Sequence, residues 1–187
     1  QSLPDIMSDN VILAQRGRRS NQSFHEWRHG PNLAWGMLYS PYVVTNRANL
    51  ILNYIGNLDD GPEKDNFMGE AKAARALALF DMVRVYSKIP TQAGSDSSLG
   101  LPIITGIDPN VRELRPPVAD SYQFIVSELE EAKGLINSDN GVGRLNKDAV
   151  SAILSRAYLY MGEYQNAVNS ADEVSTPMSS FCLLYTS

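Results

Sequence analysis

The sequence predicts an all-α protein built from packed helical hairpins, and three observations lead to this fold class. The stretch from Gly69 to Pro90 is rich in alanine, also contains leucine and methionine, and has apolar residues at helical spacing. Two pairs of helices repeat a common plan along the chain, and this stretch is the first helix of the first pair. The segments between the helical patterns are rich in glycine and proline. We therefore expect tetratricopeptide-like hairpins in a right-handed superhelix, with a long loop inserted in one of them.

Composition limits the class of protein. The chain has 187 residues, 43% of them hydrophobic, which is enough for a domain with a buried core. Its net charge of −5 argues against nucleic-acid binding, because phosphate contacts need a concentrated excess of lysine and arginine. No apolar run reaches the length of a membrane span. Because the chain starts at Gln1 without an initiator methionine, we expect a processed or truncated product.

The first part of the chain predicts two helices of unequal length. A short helix is expected near Pro4 to Gln15, followed by a loop that ends at Gly30-Pro31. From Leu33 to Leu58, apolar side chains recur every three or four residues, which predicts a long helix that Pro41 kinks or divides. The segment from Asn57 to Asn66 contains Asp-Asp-Gly-Pro and predicts a turn.

The helix from Gly69 to Pro90 has apolar residues around more of its circumference than a surface helix needs. We therefore expect it to lie between neighbouring helices, with Ala73 and Ala76 allowing a close backbone approach. Pro90 is expected to end it, because the proline ring clashes with a preceding helical turn.

A long loop is predicted after this helix. Residues Thr91 to Ala119 show no sustained helical period and contain several glycines and prolines, with short extended pieces expected at Leu101 to Thr105. Asp120 or Ser121 is then expected to cap the next helix.

The last hairpin follows a second turn. Asn146 is expected to cap a helix that Gly162 ends, and Tyr164 to Val174 is expected to form its partner. These helices match the first pair, since Tyr164 lies 42 residues after Tyr122, whereas Leu154 lies 74 residues after Phe80. The unequal spacing predicts an insertion of about thirty residues within the first pair. Residues of the last pair also occupy the spaced positions of the tetratricopeptide pattern: Leu154, Tyr158, Gly162, Tyr164, Ala167, Ala171 and Val174.

Three groups of residues, in matching order and spacing, resemble the SusD/RagB-like family of nutrient-binding outer-membrane lipoproteins. They are Gly69-Glu70-Ala71 with the helix up to Pro90, Arg115 with Tyr122 and Glu128-Leu129, and Gly143-Arg144 with Arg156 to Gly162. The resemblance extends from Leu3 to Val174, which predicts one helical-repeat domain over residues 1–174. Residues 175–187 do not match and are expected to be a disordered or artefactual tail.

The resemblance implies a non-catalytic protein of the Bacteroidetes on the cell-surface side of the outer membrane. Its implied partners are a SusC-like TonB-dependent barrel and an oligosaccharide or peptide ligand, and it needs no cofactor. The family attaches to the membrane through a lipid-bearing N-terminal cysteine that this chain lacks, so attachment is expected only through an anchor outside it. In the family the tetratricopeptide helices form a scaffold, and a region C-terminal to them supplies much of the glycan-binding surface. This chain is therefore expected to be chiefly scaffold.

The segment from His25 to His29 holds the first candidate ligand contacts. Trp27 can stack on a sugar ring while Arg28 and His25 hydrogen-bond its hydroxyl groups. The alternative is that Trp27 anchors the loop to the scaffold. The resemblance adds Asn10 and Gln15 from the early segment, near where many glycan-binding relatives place aromatic residues and this chain has Val11, Ile12 and Leu13.

Two other classes of function stay open. His25-Glu26-Trp27-Arg28-His29 fits the His-Glu-x-x-His pattern of zinc peptidases, in which two histidines one helical turn apart bind zinc and the glutamate is the general base. Gly30-Pro31 would end any helix at once and no third histidine exists, so we predict no metal site and no catalytic residue. A tetratricopeptide adaptor is the other alternative, but simple adaptors join their paired helices by short turns.

The charged residues of the resembling motifs are expected to be architectural. An unpaired charge inside a helical stack is costly, so we expect Glu70 or Asp81 to pair with an arginine of a neighbouring helix. The structural set consists of Gly69, Glu70, Arg75, Asp81, Arg84, Pro90, Arg144 and Arg156.

Overall fold

The computed structural model describes residues 12, 22–28 and 39–175, and the chain divides into two compact units, Gln1–Gly36 and Met37–Ser187. In the first unit the described segment forms one short helix, α1 (Gln22–His25). The described residues of the second unit form five helices and no strand: α2 (Tyr39–Tyr54), α3 (Pro62–Tyr86), α4 (Val118–Leu135), α5 (Lys147–Met161) and α6 (Tyr164–Asp172). The all-α class is confirmed. The helix expected at residues 4–15 and the tail from residue 176 lie outside the described residues.

Helix α2 occupies most of the long helix predicted at residues 33–58, and a single 3₁₀ turn, Ile55–Asn57, follows it. Pro41 lies in its first turn, where a backbone N–H has no intrahelical acceptor to lose. Residues 33–38 lie outside the described residues, so the expectation that Pro41 kinks or divides the longer helix stays a prediction.

Helix α3 begins at Pro62, seven residues before the predicted start, and ends at Tyr86. A proline at the first helical position has a suitable φ, and the acidic residues Glu63 and Asp65 interact favourably with the helix dipole in the first turn. The Asp-Asp-Gly-Pro sequence thus ends a turn and also starts a helix. Pro90 lies beyond the end of α3, so it excludes a longer helix but does not mark the last turn.

The core surrounds α3, which contacts α2 on one side and α4 on the other. Ala73, Ala76 and Phe80 are fully buried, as the sequence predicts for a helix packed between neighbours. The Phe80 ring lies nearly perpendicular to two tyrosine rings, with its centroid 6.2 Å from that of Tyr122 and 5.6 Å from that of Tyr160. This aromatic cluster joins α3, α4 and α5.

Gly69 allows the first turns of α3 to approach the end of α4. A Cβ atom at this position would lie 2.8 Å from the backbone nitrogen of Ile136 and 2.9 Å from its Cβ. At Gly134, in the last turn of α4, a Cβ atom would have no other atom within 4 Å. Only the first of these two glycines is required by packing.

Residues 87–117 join α3 to α4 and contain no helix, as predicted. We name this segment the connection. The extended pieces expected at Leu101 to Thr105 do not form a strand, and a single antiparallel bridge joins Leu99 to Pro117 instead. Helix α4 begins at Val118, so neither Asp120 nor Ser121 is its cap. Both residues lie inside the first turn of α4, and the Ser121 hydroxyl instead accepts a hydrogen bond from the Leu101 N–H (3.0 Å).

Helix α5 has both of its predicted caps. The Asn146 side chain accepts a hydrogen bond from the Ala149 N–H (2.9 Å) and caps α5. Gly162 ends α5 in the left-handed conformation, with a φ of 78°. The equivalence of this pair with the first pair as tetratricopeptide repeats stays a prediction. None of the described helices is both long enough and apolar enough to cross a membrane.

Candidate functional site

The first candidate contacts lie in a turn after α1. The helix ends at His25, and the Arg28 N–H bonds to the Ser23 carbonyl (2.8 Å). The Arg28 side chain forms an ion pair with Glu26 (3.0 Å). Trp27 has a left-handed φ of 55° and is 65% exposed, and its role as a ligand contact or as an anchor of the loop stays a prediction. His25, Trp27 and Arg28 are thus neighbours in one turn.

The zinc pattern lacks the helix that it requires. Because α1 ends at His25, Glu26 and Trp27 lie in a turn, and residues 26–28 are not helical. His29, Asn10 and Gln15 lie outside the described residues. Within the described residues, no group of three or more histidine, cysteine or acidic side chains could hold a metal ion.

Glu70 pairs with Arg144 in a two-point ion pair. The Arg144 Nε and Nη2 atoms donate to the two carboxylate oxygens of Glu70 at 2.9 and 2.7 Å. Glu70 thus pairs with an arginine, as expected. This arginine lies in the turn before α5, however, and not in a neighbouring helix. Asn140 adds a bond to Glu70 Oε1 (3.0 Å) and one to Asn66 Oδ1 (3.1 Å). This group ties the start of α3 to the turn before α5.

Arg75 forms a buried ion pair with Glu128 of α4. Its Nε and Nη2 atoms donate to Glu128 Oε2 at 2.8 and 2.5 Å, and the two side chains are only 6% and 7% exposed. The third contact of Arg75 is a bond from Nη1 to Asn49 Oδ1 of α2 (2.7 Å). We name Asn49, Arg75 and Glu128 the buried triad. It joins α2, α3 and α4.

Lys72 extends the buried triad towards the surface. Its ammonium group bonds to Glu128 Oε1 (3.1 Å) and to Glu131 Oε2 (2.9 Å). Burial alone would lower the pKa of Lys72, but these two carboxylates raise it on balance. The same contact lowers the pKa of Glu131. Lys72 therefore stays charged and neutralises the second oxygen of Glu128.

The remaining motif residues lie around the aromatic cluster. Asp81 forms an ion pair with Arg84 of its own helix, so the expectation of a partner from another helix is wrong for Asp81. The reason is geometric, since residues three apart face one another on a helix. The Arg84 and Arg156 guanidinium groups lie 4.8 and 5.6 Å from the Phe80 ring centroid.

The sequence identified Arg75 as a structural residue, but it did not reveal which side chains Arg75 contacts. Glu128 belongs to the resembling motifs, but neither its role nor that of Asn49 as a partner of Arg75 was predicted. The available signal was their polarity on faces of helices that the apolar pattern buries.

The connection is fastened to the helices along its length. Asn49 Nδ2 donates to the carbonyls of Ile104 (2.8 Å) and Gly106 (3.0 Å), and the Tyr42 hydroxyl donates to the Pro102 carbonyl (3.2 Å). Since Asn49 also belongs to the buried triad, the connection is linked through one side chain to Arg75. The predicted loop is therefore an anchored surface.

A cleft of about 500 Å³ lies at the base of the connection, and we name it the connection cleft. It is bounded by the end of α3 and by residues from the beginning, middle and end of the connection. Six of its residues carry polar groups: Tyr86, Ser87, Lys88, Gln92, Ser98 and Arg115. Its volume lies in the range of small-molecule sites.

Two further clefts lie elsewhere on this unit. A groove of about 550 Å³ between α2 and α3 is mainly apolar, with Val44, Ile51 and Phe67 among its lining residues. A cleft of about 460 Å³ beside the Glu70 and Arg144 pair is lined by polar residues that include Asn137 and Asp139. In this polar cleft, the side chains of Asn140 and Arg144 already form hydrogen bonds to other side chains of the protein.

Known proteins resemble this chain over most of its length. A family model described as "SusD-like_3: Starch-binding associating with outer membrane" matches residues 3–159. The SusD-like protein P38 of Formosa agariphila is 24% identical over 173 residues, which are 89% of this chain and 31% of that protein. A SusD-like protein of Bacteroides ovatus is 26% identical over 137 residues, or 71% of this chain and 23% of that protein.

Solved structures show the same relationship. A SusD superfamily protein of Bacteroides vulgatus superposes with a TM-score of 0.73 and 32% identity, over 82% of this chain and 36% of that one. A laminarin-binding SusD-like protein superposes with a TM-score of 0.69 and 27% identity, over 83% of this chain and 33% of that one. The chain thus spans about a third of the length of these structures. The match over residues 3–159 and these superpositions show that the chain belongs to the SusD-like family of outer-membrane-associated, carbohydrate-binding proteins.

Proposed function

We propose that this chain is the helical scaffold of a non-catalytic glycan-binding component in an outer-membrane uptake system. The observation that carries this proposal is the family match over residues 3–159. One superposed relative is described as laminarin-binding, which supports a glycan as the ligand class. A scaffold role is supported by the buried triad and by the Glu70 and Arg144 pair, which join successive helices through charged side chains.

The partner and the location are part of the same proposal. The glycan is delivered to a SusC-like TonB-dependent barrel, and the component lies on the cell-surface side of the outer membrane, where a lipid anchor holds it. The ligand is an oligosaccharide, and a peptide is the alternative cargo. The anchored connection supports a binding role, since loops held on a rigid scaffold commonly carry binding residues.

A tetratricopeptide adaptor that binds a peptide is the second candidate function. The apolar groove between α2 and α3 favours it, because Val44 and Ile51 expose 40% and 46% of their surface there. Against it, the 31-residue connection, residues 87–117, replaces the short turn of a simple adaptor.

Retention of the gene product on immobilised or gel-embedded glycans tests the proposal. A panel of neutral and acidic polysaccharides should include laminarin, and the products of a long incubation should be separated by size. We expect retention by at least one polysaccharide and no shortening of any of them. Retention by none, or the appearance of shortened products, would contradict the proposal.

A further inference from the structure

We propose that the connection cleft is a subsite for the anionic group of an acidic saccharide, either the carboxylate of a uronic acid or a sulfate ester. The inference rests on the proposed glycan-binding function and specifies the ligand chemistry. It is carried by two cations that face a common cleft without acidic partners.

Lys88 and Arg115 both line the connection cleft. Within the part of the chain that the structure describes, neither forms an ion pair with a carboxylate. Several other cations of the described residues pair with carboxylates, namely Lys72, Arg75, Arg84, Lys133 and Arg144, whereas Arg47, Lys147 and Arg156 form no such pair. In a chain with a net charge of −5, these two cations form a local positive site.

Arg115 is held in place by neutral groups. Its Nε atom donates to the Gly100 carbonyl (2.6 Å), and its Nη2 atom donates to the carbonyls of Tyr86 and Leu99 (both 2.9 Å). These carbonyls fix the guanidinium group without cancelling its charge. Its Nη1 atom has no acceptor among the described residues, so one edge of a preorganised guanidinium group is available to an anion.

Lys88 supplies the second charge. It lies at the beginning of the connection, whereas Arg115 lies near its end. The one acceptor of its ammonium group in the described structure is the Gly94 carbonyl, at 3.4 Å. A hydrogen bond of this length is weak, so an anion can replace it. A charged acceptor would gain a stronger, charge-assisted bond from the same ammonium group.

Uncharged polar groups in the cleft suit the hydroxyl groups of a sugar. The Ser87 hydroxyl oxygen is buried and has no hydrogen-bond partner in the described structure. Such a group costs free energy until a ligand or water satisfies it. The Gln92 side chain also lines the cleft, and its amide can donate and accept. Leu99, which is 51% exposed, offers an apolar surface beside these groups.

Titration calorimetry on the full chain tests this inference. The probes are oligogalacturonate, a sulfated galacto-oligosaccharide and the neutral galacto-oligosaccharide of the same length. We expect one of the acidic probes to bind more tightly than the neutral probe, and the difference to shrink as salt is added.

Two charge-removing variants locate the site. Lys88→Gln should weaken binding of the acidic probe about fivefold to tenfold, since it removes a charge-assisted bond. Arg112→Gln is the matched control, because Arg112 is an exposed cation of the same connection that bonds to the Pro109 and Val111 carbonyls and does not line the cleft. It should change the affinity by less than about twofold.

Each contrary outcome has a distinct meaning. Equal binding of the neutral and acidic probes, or equal effects of the two variants, would overturn the inference and leave the glycan-binding function standing. If no saccharide of any kind binds, the proposed function itself fails. If polyglutamate binds through Lys88 while no saccharide does, the cleft is a contact for an acidic protein surface and the inference is overturned.

Discussion

Removal of the charge of Glu128 should destabilise the protein more than any change to a surface ion pair. Glu128→Gln keeps the size of the side chain but leaves Arg75 without its anionic partner at a site where both side chains are less than a tenth exposed. The amide also places an N–H₂ group beside Arg75 or Lys72, which donate to the two oxygens of Glu128.

The magnitude follows from this burial. Breaking one partner of a buried, hydrogen-bonded ion pair costs about 3 to 5 kcal/mol, because the other charge stays desolvated. Lys72 retains Glu131 as a partner, so we take the lower limit of about 3 kcal/mol. For a chain of this size, that loss corresponds to a fall in Tm of about 6 to 12 °C.

Urea unfolding followed by far-UV circular dichroism measures the effect. The Arg75→Met and Glu128→Leu double variant should lose less stability than the sum of its single variants, since it leaves no unpaired buried charge. Asp60→Asn is the control. It breaks the Lys64 and Asp60 pair, which has a similar distance of 2.8 Å, but the Asp60 side chain is 98% exposed.

The control should cost less than about 1 kcal/mol, as surface ion pairs usually do. A loss of less than about 1 kcal/mol for Glu128→Gln, or strict additivity in the double variant, would refute the argument. Either result would mean that the buried triad does not join the helices energetically.

The other predictions concern single contacts, and urea unfolding measures each of them. Gly69→Ala should cost about 1 to 3 kcal/mol, because the new methyl group meets the Ile136 backbone, whereas Gly134→Ala in open space should stabilise the helix by up to about 1 kcal/mol. Equal effects of these two variants would contradict the packing argument. Asn146→Ala should cost about 1 kcal/mol through the lost cap, and no loss would mean that the cap is dispensable. Hydrogen bonds from Lys133 and Ser151 lower the pKa of Glu173, so they stabilise the protein above the unfolded-state pKa of a glutamate, and this contribution disappears as the pH falls through the lowered pKa. Wild-type stability should therefore decrease more on acidification than that of Glu173→Gln, and parallel pH profiles would contradict this.

The elements that the sequence predicts well are those with local causes. Asn146 and Gly162 bound α5 as expected, because a cap depends on a side chain and a backbone conformation within one turn. The start of α3 was misplaced because Pro62 stands in an Asp-Asp-Gly-Pro sequence, and the same residues are favourable in a turn and at the first position of a helix. Local pattern alone cannot decide between these two roles.

The sequence pattern did not predict which residues far apart in the chain contact one another. Arg75 finds Glu128 53 residues away and Asn49 26 residues away, and nothing in their spacing indicates the pairing. Arg115 is held by backbone carbonyls, which have no signature in side-chain pattern. Its approach to Lys88 in the connection cleft therefore became visible only in the fold.

The central claim is that this chain works in a glycan uptake complex of the outer membrane. Affinity purification of the tagged gene product from detergent-solubilised outer membranes of its own cells, with mass spectrometry of what is retained, tests that claim most directly. We predict that a TonB-dependent barrel is recovered in near-equal amount and that the complex retains a labelled oligosaccharide without shortening it. Recovery of the gene product without a barrel, or from a fraction other than the outer membrane, would contradict the account.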